Sequence, residues 1–203
     1  MRTIVKNTVP AALTSWLNSW RALVIQGHTL DWKDFPNPEK SQTMDSLIEE
    51  QGAVCCYCEA RIGNSEAHIE HFQPRSLMPH LAFDYDNLLA SCEEAKHCGS
   101  KKGNSAPTNL ISPLQRGCES HFVYTSLGEI SGNDFSAKET VRLLGLNDAN
   151  LCSRRLATMK VWEELTPAEA TQAMQQCMQR DNNGQCWEFA TTVQWYLENY
   201  YNV

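Results

Sequence analysis

The sequence predicts an α+β fold that is mostly helical, with a short cysteine-bearing strand–loop–strand–helix core held between helical flanks. Three observations predict it. Residues 10–26 and much of the chain after residue 133 repeat apolar side chains at three- and four-residue spacing, the period of an amphipathic helix. Residues 53–106 lose that period and hold turns, cysteine pairs and two short runs suited to strands. At 203 residues the chain is long enough for one sizeable core with a helical annex. The expected division is an N-terminal helical region over 1–52, the cysteine-bearing core over 53–106, and a loop, hairpin and C-terminal helical region over 107–203.

In order, the first helix spans 10–26, with Pro10 in its first turn and Gly27 just past its end. Leu13, Trp16, Leu17, Trp20, Leu23 and Val24 form its apolar face. Residues 28–37 read as a loop, and a second helix starts with Asn37 as cap and Pro38 in its first turn. That helix turns Met44, Leu47 and Ile48 inward and stops near Gly52. Residues 66–72 alternate as a strand, Pro74 and Pro79 force a loop, and 83–90 pair back as a second strand. A turn and short helix follow from Cys92 to Lys102, closed by Gly103 and Asn104. Ser120–Thr125 and Glu129-Ile130 suit a hairpin. Ser136 and Glu139 are spaced as a capping box before Val141, Leu143 and Leu144. Asn147 or Asp148 caps a helix running to about Glu164, and Thr166-Pro167-Ala168-Glu169 opens another. Asp181–Gly184 is a turn, and the last helix places Cys186, Ala190, Val193, Leu197 and Tyr200 on one face.

Composition narrows the class. Mean hydropathy is negative, and no run approaches the ~18 apolar residues of a membrane span. The N-terminus shows no signal-peptide pattern, so a cytoplasmic address is expected, with no membrane partner. In a reducing compartment nine cysteines argue for metal ligation over disulfides. The net charge of −7 argues against a free-standing nucleic-acid binder, although Lys101, Lys102 and Arg116 fall in an acid-free stretch that allows a local basic patch.

Cys55 and Cys58 share the C-x-x-C spacing that lets one tight turn aim two thiolates at one ion, and Cys92 and Cys98 can supply two more. A structural Zn²⁺ at these four would tie the start of the core to its end. Cys56, Cys118, Cys152, Cys177 and Cys186 read as buried small hydrophobes, while Cys56 in place of Cys55 and His97 in place of Cys98 stay open as ligands. Between the pairs, Glu70 and His71 combine a carboxylate with an imidazole able to deprotonate water near neutral pH. A carboxylate or amide can hold a hard divalent ion, and phosphodiester hydrolysis needs both elements. Adjacent strand residues point to opposite faces, so Glu70 and His71 share a pocket only if the strand ends or bends there.

Cys55-x-x-Cys58, Glu70-His71-x-x-Pro74-Arg75, Asp86-Asn87-Leu88-Leu89-x-x-Cys92 and Cys98-x-x-x-Lys102-Gly103-Asn104 together resemble the HNH endonuclease motif. More narrowly, His68-Ile69-Glu70-His71-Phe72-x-Pro74-Arg75-Ser76 and His97-Cys98-Gly99-x-x-Lys102 resemble the HNH subunits of Septu antiphage systems and their retron-associated relatives. The resemblance runs over roughly residues 44–156. It implies a zinc-braced ββα-metal core over 53–106 and a catalytic Mg²⁺ or Mn²⁺. It makes His71 the general base, Glu70 a metal ligand, Asn87 the residue that orients the base loop or helps hold the ion, and Lys102 a phosphate contact. His71 stands with Glu70 and Asn87 as a candidate ligand of that ion. The usual third His or Asn position is Gly99, which leaves His97 and His68 to complete the site. The implied partners are an ABC/SMC-like ATPase, a nucleic-acid substrate (DNA or tRNA) and, in retron systems, a reverse transcriptase with its RNA–DNA hybrid. The Trp-bearing first helix and the C-terminal helices are candidate docking surfaces. The competing reading is a catalytically silent, zinc-stabilised adaptor, which the acidic charge favours and the retained Glu70, His71, Asn87 and Lys102 disfavour.

Overall fold

The computed structural model describes residues 1–202. Helix α1 (Ala11–Ile25) begins after Pro10 and ends before Gly27, whose φ of +90° lets the chain leave the last turn without a Cβ clash. Leu13 and Trp16 are buried, Trp16 lying 4.6 Å from Phe35 and 5.0 Å from Phe83 between ring centroids. The apolar face is covered over its first half only, because Leu23, Val24 and Ile25 stand exposed. Helix α2 (Glu39–Glu50) buries Thr43, Met44, Leu47 and Glu50, while Ile48 is half-buried. Asn37 is not its cap: Pro38 takes that position, and the Pro36 carbonyl accepts from the Lys40 N–H at 2.8 Å, so no side-chain cap is needed there.

Strands β1 (Ala67–His71) and β2 (Leu88–Cys92) pair antiparallel, from Ala67 opposite Cys92 to His71 opposite Leu88. β2 starts later than the sequence suggests. Asp84 accepts from the Asp86 N–H at 3.1 Å and winds Tyr85–Asn87 into a 3₁₀ turn. Tyr85 then points inward and donates to the buried Glu50 at 3.0 Å. Gln51 clasps this unit to α2: its amide donates to Val54 O and Ala90 O and accepts from Ala90 N, at 2.7–2.9 Å. The short helix α3 (Cys98–Lys102) follows and packs on β2 and on the later helix α4 (Phe135–Leu144).

A second hairpin, β3 (Phe122–Tyr124) with β4 (Ile130–Gly132), leads into α4. The cap of α4 is Asp134, which accepts from Ala137 N at 2.8 Å. Ser136 and Glu139 do not form a capping box, because they lie already inside the helix, where Glu139 pairs with Arg142 one turn on. Helix α5 (Ala149–Lys160) is capped by Asp148 and stops short of Glu164. Helix α6 (Pro167–Cys177) opens with the Thr166/Glu169 capping box. Helix α7 (Ala190–Tyr201) buries Val193, Tyr196 and Leu197 but leaves Tyr200 exposed. Cys186 lies before α7, in an isolated bridge with Arg180.

The main apolar cluster joins α1, α2, the β1–β2 unit and the β3–β4 hairpin; a smaller one joins α5, α6 and α7. Arg155, 1% exposed, ties α5 into the fold by donating to Gly128 O and Leu146 O at 3.1 and 2.8 Å. Among the described residues no helix is long and apolar enough to cross a membrane.

Candidate metal centre and active site

The Cys55–Cys58 turn is closed by hydrogen bonds from Cys55 N to Ala60 O (2.8 Å) and from Glu59 N to Cys55 O (3.1 Å), with Glu59 in the left-handed region. Cys56 N donates to Ala90 O at 3.1 Å and fixes the turn against β2. The result gathers the buried sulfurs of Cys55, Cys58, Cys92 and Cys98 within 4.8 Å of one another. Tetrahedral zinc with bonds of ~2.3 Å sets its sulfurs ~3.8 Å apart, and the Cys58–Cys92 separation is 3.9 Å. The donor set therefore fits a metal ion such as zinc. Burial pushes the Cys55 thiol up, yet bonds from the neighbouring thiols outweigh it and bring it well below the ordinary range. The Cys55 contact pushes Cys92 up, but the other two thiols win and lower it to about 6. Cys58 is pushed well up, chiefly by its contacts with Cys55 and Cys92, and Cys98 by burial, so two of the four thiols are lowered and two raised; a structural metal would take all four as thiolates.

On the face of β1 turned toward α3, Glu70 is 6% exposed. Its Oε1 accepts from Tyr57 OH at 3.1 Å and lies 2.9 Å from the Lys102 ammonium. Its Oε2 faces His68 Nε2 at 3.6 Å. Burial raises the Glu70 pKa, but the facing His68 and the Lys102 charge outweigh that and hold it below the usual carboxylate range. Lys102, itself 2% exposed, also donates to His71 O at 3.0 Å and Phe72 O at 3.3 Å, so it grips the end of β1 from beneath.

His71 points away from this face. Its Nε2 lies 2.9 Å from Ala82 O, and its ring stands edge-on to Trp32 at 4.4 Å between centroids. A carbonyl can only accept, so this contact assigns the proton to Nε2 and leaves the lone pair on Nδ1. Burial pushes the His71 pKa down to about 4, with the Ala82 bond resisting. The loop between the strands is stapled by Asn87, which accepts from Gln73 N (2.7 Å) and donates to Gln73 O (3.0 Å) and Leu81 O (3.1 Å). Trp32 carries Lys40 and Arg75 over its ring, and these line a groove of about 540 Å³ that reaches His68.

With this geometry in hand, known proteins offer a comparison. A protein assigned as the HNH endonuclease of retron Vc95, from Vibrio cholerae serotype O1 biovar El Tor, is 29% identical over 163 residues, covering 71% of this chain and 76% of the relative. The chain resembles the retron and Septu HNH endonucleases. The Septu protein PtuB of Bacillus thuringiensis is 33% identical over 106 residues, covering 50% of this chain and 40% of that protein, well under two thirds of its length. No family model matches the chain.

Against the HNH pattern, the structure gathers some of the expected residues and separates others. The four cysteines converge; Cys56 stays outside the group, and His97 lies beside it, its Nδ1 3.2 Å from Cys98 Sγ and 3.7 Å from Cys92 Sγ. Glu70, His71 and Asn87 each engage separate protein partners. Glu70 faces α3, His71 faces Trp32 because adjacent strand residues alternate, and the Asn87 amide is taken up by the loop. Lys102 is not at the surface to meet a phosphate, because its amine is buried against Glu70 and two strand carbonyls. The basic patch is likewise redistributed. Lys102 turns inward, Arg116 lies in a separate groove, and Lys101 joins Lys96, Lys138 and Arg142 around a recess of about 420 Å³. Sequence reasoning gave no role to Tyr57 and Arg75 and passed over Trp32. Arg75 sits inside the quoted motif, and its place four residues after His71 is the one signal that pointed to it.

Proposed function

We propose that the chain is a metal-dependent HNH endonuclease that hydrolyses nucleic-acid phosphodiester bonds, as the effector of a Septu- or retron-type antiphage complex with an ABC/SMC-like ATPase partner. The observation that carries this reading is the state of His71. Its ring is fixed by Ala82 O and Trp32, with Nε2 bonded to the carbonyl and Nδ1 left as an acceptor, one residue from the Glu70 carboxylate. An adaptor has no need of an imidazole poised in that way.

In the proposed reaction His71 Nδ1 takes a proton from the attacking water. Asn87 keeps the loop that carries Ala82 in register, so the tautomer of His71 is maintained. Glu70 presents Oε2 while Tyr57 and Lys102 hold Oε1, and this is where Mg²⁺ or Mn²⁺ would be held. When bound, that ion supplies charge neutralisation on the scissile phosphate and the leaving oxygen. Lys40 and Arg75, on the groove beside Trp32, are the cations best placed for flanking phosphates. The four-cysteine cluster holds a structural zinc that keeps β1, β2 and α3 in place.

The test is cleavage of plasmid DNA and of total tRNA by the purified chain, alone and with the ATPase partner, in Mg²⁺ or Mn²⁺, with EDTA controls. His71→Ala should lower the rate by about 10²–10⁴-fold, the usual contribution of a general base, with zinc content and melting temperature kept. Wild-type cutting by His71→Ala would remove the residue from that role. No metal-dependent cutting of either substrate in any mixture would favour the adaptor.

A further inference from the structure

The face of β1 that meets α3 contains an arrangement that the HNH pattern leaves open between His68 and His97 and that the comparisons do not assign. His68 and Glu70 are two residues apart on one strand, so both project toward the helix. The helix residue opposite them is Gly99. A Cβ placed there would lie 2.7 Å from His68 Nε2, 2.7 Å from Glu70 Oε2 and 3.0 Å from Glu70 Cδ. Side-chain carbons do not approach so closely, so α3 can offer no side chain at this point while His68 and Glu70 keep their positions. The φ of Gly99 lies outside the left-handed region, so space and not backbone conformation is what excludes a side chain. The volume is filled from the strand side by the imidazole.

The two atoms face each other as a long ion pair when the imidazole is protonated. At 3.6 Å, His68 Nε2 and Glu70 Oε2 are too far apart for a good hydrogen bond and close enough to share one ion. Glu70 is tethered through its other oxygen by Tyr57 and Lys102, so Oε2 is held in position before any ion arrives. His68 is about a quarter exposed and forms part of the wall of the Trp32–Lys40–Arg75 groove, which gives the pair an open side. His97 has no such opening: it is buried, with Nδ1 against the cysteine cluster.

We propose that His68 Nε2 and Glu70 Oε2 together hold the catalytic divalent ion, the histidine entering from β1 because Gly99 leaves α3 without a donor there. This rests on the nuclease reading above and adds to it the identity of the nitrogen ligand. An imidazole–carboxylate pair favours Mn²⁺ over Mg²⁺, since nitrogen donors suit transition metals.

The experiment uses the full, zinc-loaded chain and Mn²⁺ alone, followed by electron paramagnetic resonance, with nitrogen modulation of the echo reporting a directly bound imidazole. Wild-type chain should bind one Mn²⁺ with nitrogen coupling. His68→Ala should lose the coupling and weaken Mn²⁺ binding by about tenfold or more, the scale seen when a metal site loses a supporting group, while zinc content stays at the wild-type level. His97→Ala should keep both affinity and coupling. Gly99→Ala tests the same space from the helix side: with both ligands present, the added methyl should still weaken Mn²⁺ binding. Unchanged affinity and coupling in His68→Ala would overturn the assignment, and metal-dependent cleavage by wild type would then leave the nuclease reading standing. Failure of the wild-type chain to bind any Mn²⁺ would overturn the assignment, while metal-dependent cleavage in Mg²⁺ or Mn²⁺ decides the nuclease reading separately.

Discussion

Replacing Lys102 with methionine separates two accounts of that residue. A lysine that only meets a phosphate stands in solvent, and its loss shifts stability by less than about 0.5 kcal/mol. Lys102 instead pairs with Glu70 at 2.9 Å, the two side chains being 1% and 8% exposed. It also donates to His71 O and Phe72 O at 3.0 and 3.3 Å. Methionine preserves most of the volume but leaves a buried carboxylate facing only Tyr57 and His68, and two strand carbonyls short of a donor. Breaking one side of a buried pair destabilises by about 3–5 kcal/mol, which for a chain of this length lowers the melting temperature by roughly 10 °C. Adding Glu70→Gln removes the stranded charge, so the double variant should recover about 1–3 kcal/mol of the loss. Urea unfolding of the zinc-loaded protein reads all four corners of this cycle. The pH dependence has a definite sign. The folded Glu70 pKa lies below its ordinary value, so its stabilisation is complete above the ordinary carboxylate range and fades as pH falls toward the lowered folded value. Lys102→Met should flatten that acid slope. A Lys102→Met protein whose urea midpoint matches wild type would refute the buried-pair account.

Two further outcomes follow from the same packing. Cys58→Ser should lose zinc and the folded core with it, because metal binding of about 10–16 kcal/mol rivals the whole stability of a domain. Cys56→Ser, one position from the cluster, should retain zinc, and metal analysis with thermal unfolding checks both. Arg155→Met should lower stability by about 2–6 kcal/mol in urea, since Gly128 O and Leu146 O would each lose a buried donor at roughly 1–3 kcal/mol apiece.

What was legible in the sequence was local. The C-x-x-C turn, the strand expected over 66–72, the hairpin expected from 120–125 and 129–130, and the Thr166 capping box depend on a few neighbouring residues; the strand formed over Ala67–His71, the hairpin over Phe122–Tyr124 and Ile130–Gly132, and the capping box where its spacing said. Elements misplaced by a few residues were those where two local solutions competed. Phe83–Asn87 could alternate as strand, but the Asp84 side chain bonds the backbone two residues on and makes a turn. Asp134 displaced Ser136 as the cap of α4 in the same way. The candidate site was legible as a set of residues and not as an arrangement. Nothing in the residue order shows that Lys102 turns inward, that Trp32 arrives from a distant loop to stand against His71, or that Gly99 opposes His68. Those are consequences of α3 packing across β1 and of the α1–α2 connection folding over the inter-strand loop.

The same packing bears on the acidic charge. Glu50, Glu59 and Glu70 are buried, but each has a cation at hand, in Lys6, the Met1 amine and Lys102, so burying them leaves the surface about as acidic as the net charge of −7 suggests. The cations near the site are instead gathered in two places: the half-buried Lys40 and exposed Arg75 around the groove at Trp32, and the exposed Lys96, Lys101, Lys138 and Arg142 around the recess beside α3 and α4. Each released counterion contributes to nucleic-acid affinity, and most of this surface repels the backbone. On the proposed reading, two small clusters on such a surface would meet a short stretch of strand at the groove. Such a surface would, on that reading, leave delivery of the substrate to another subunit, which is why an ATPase partner belongs to the proposal.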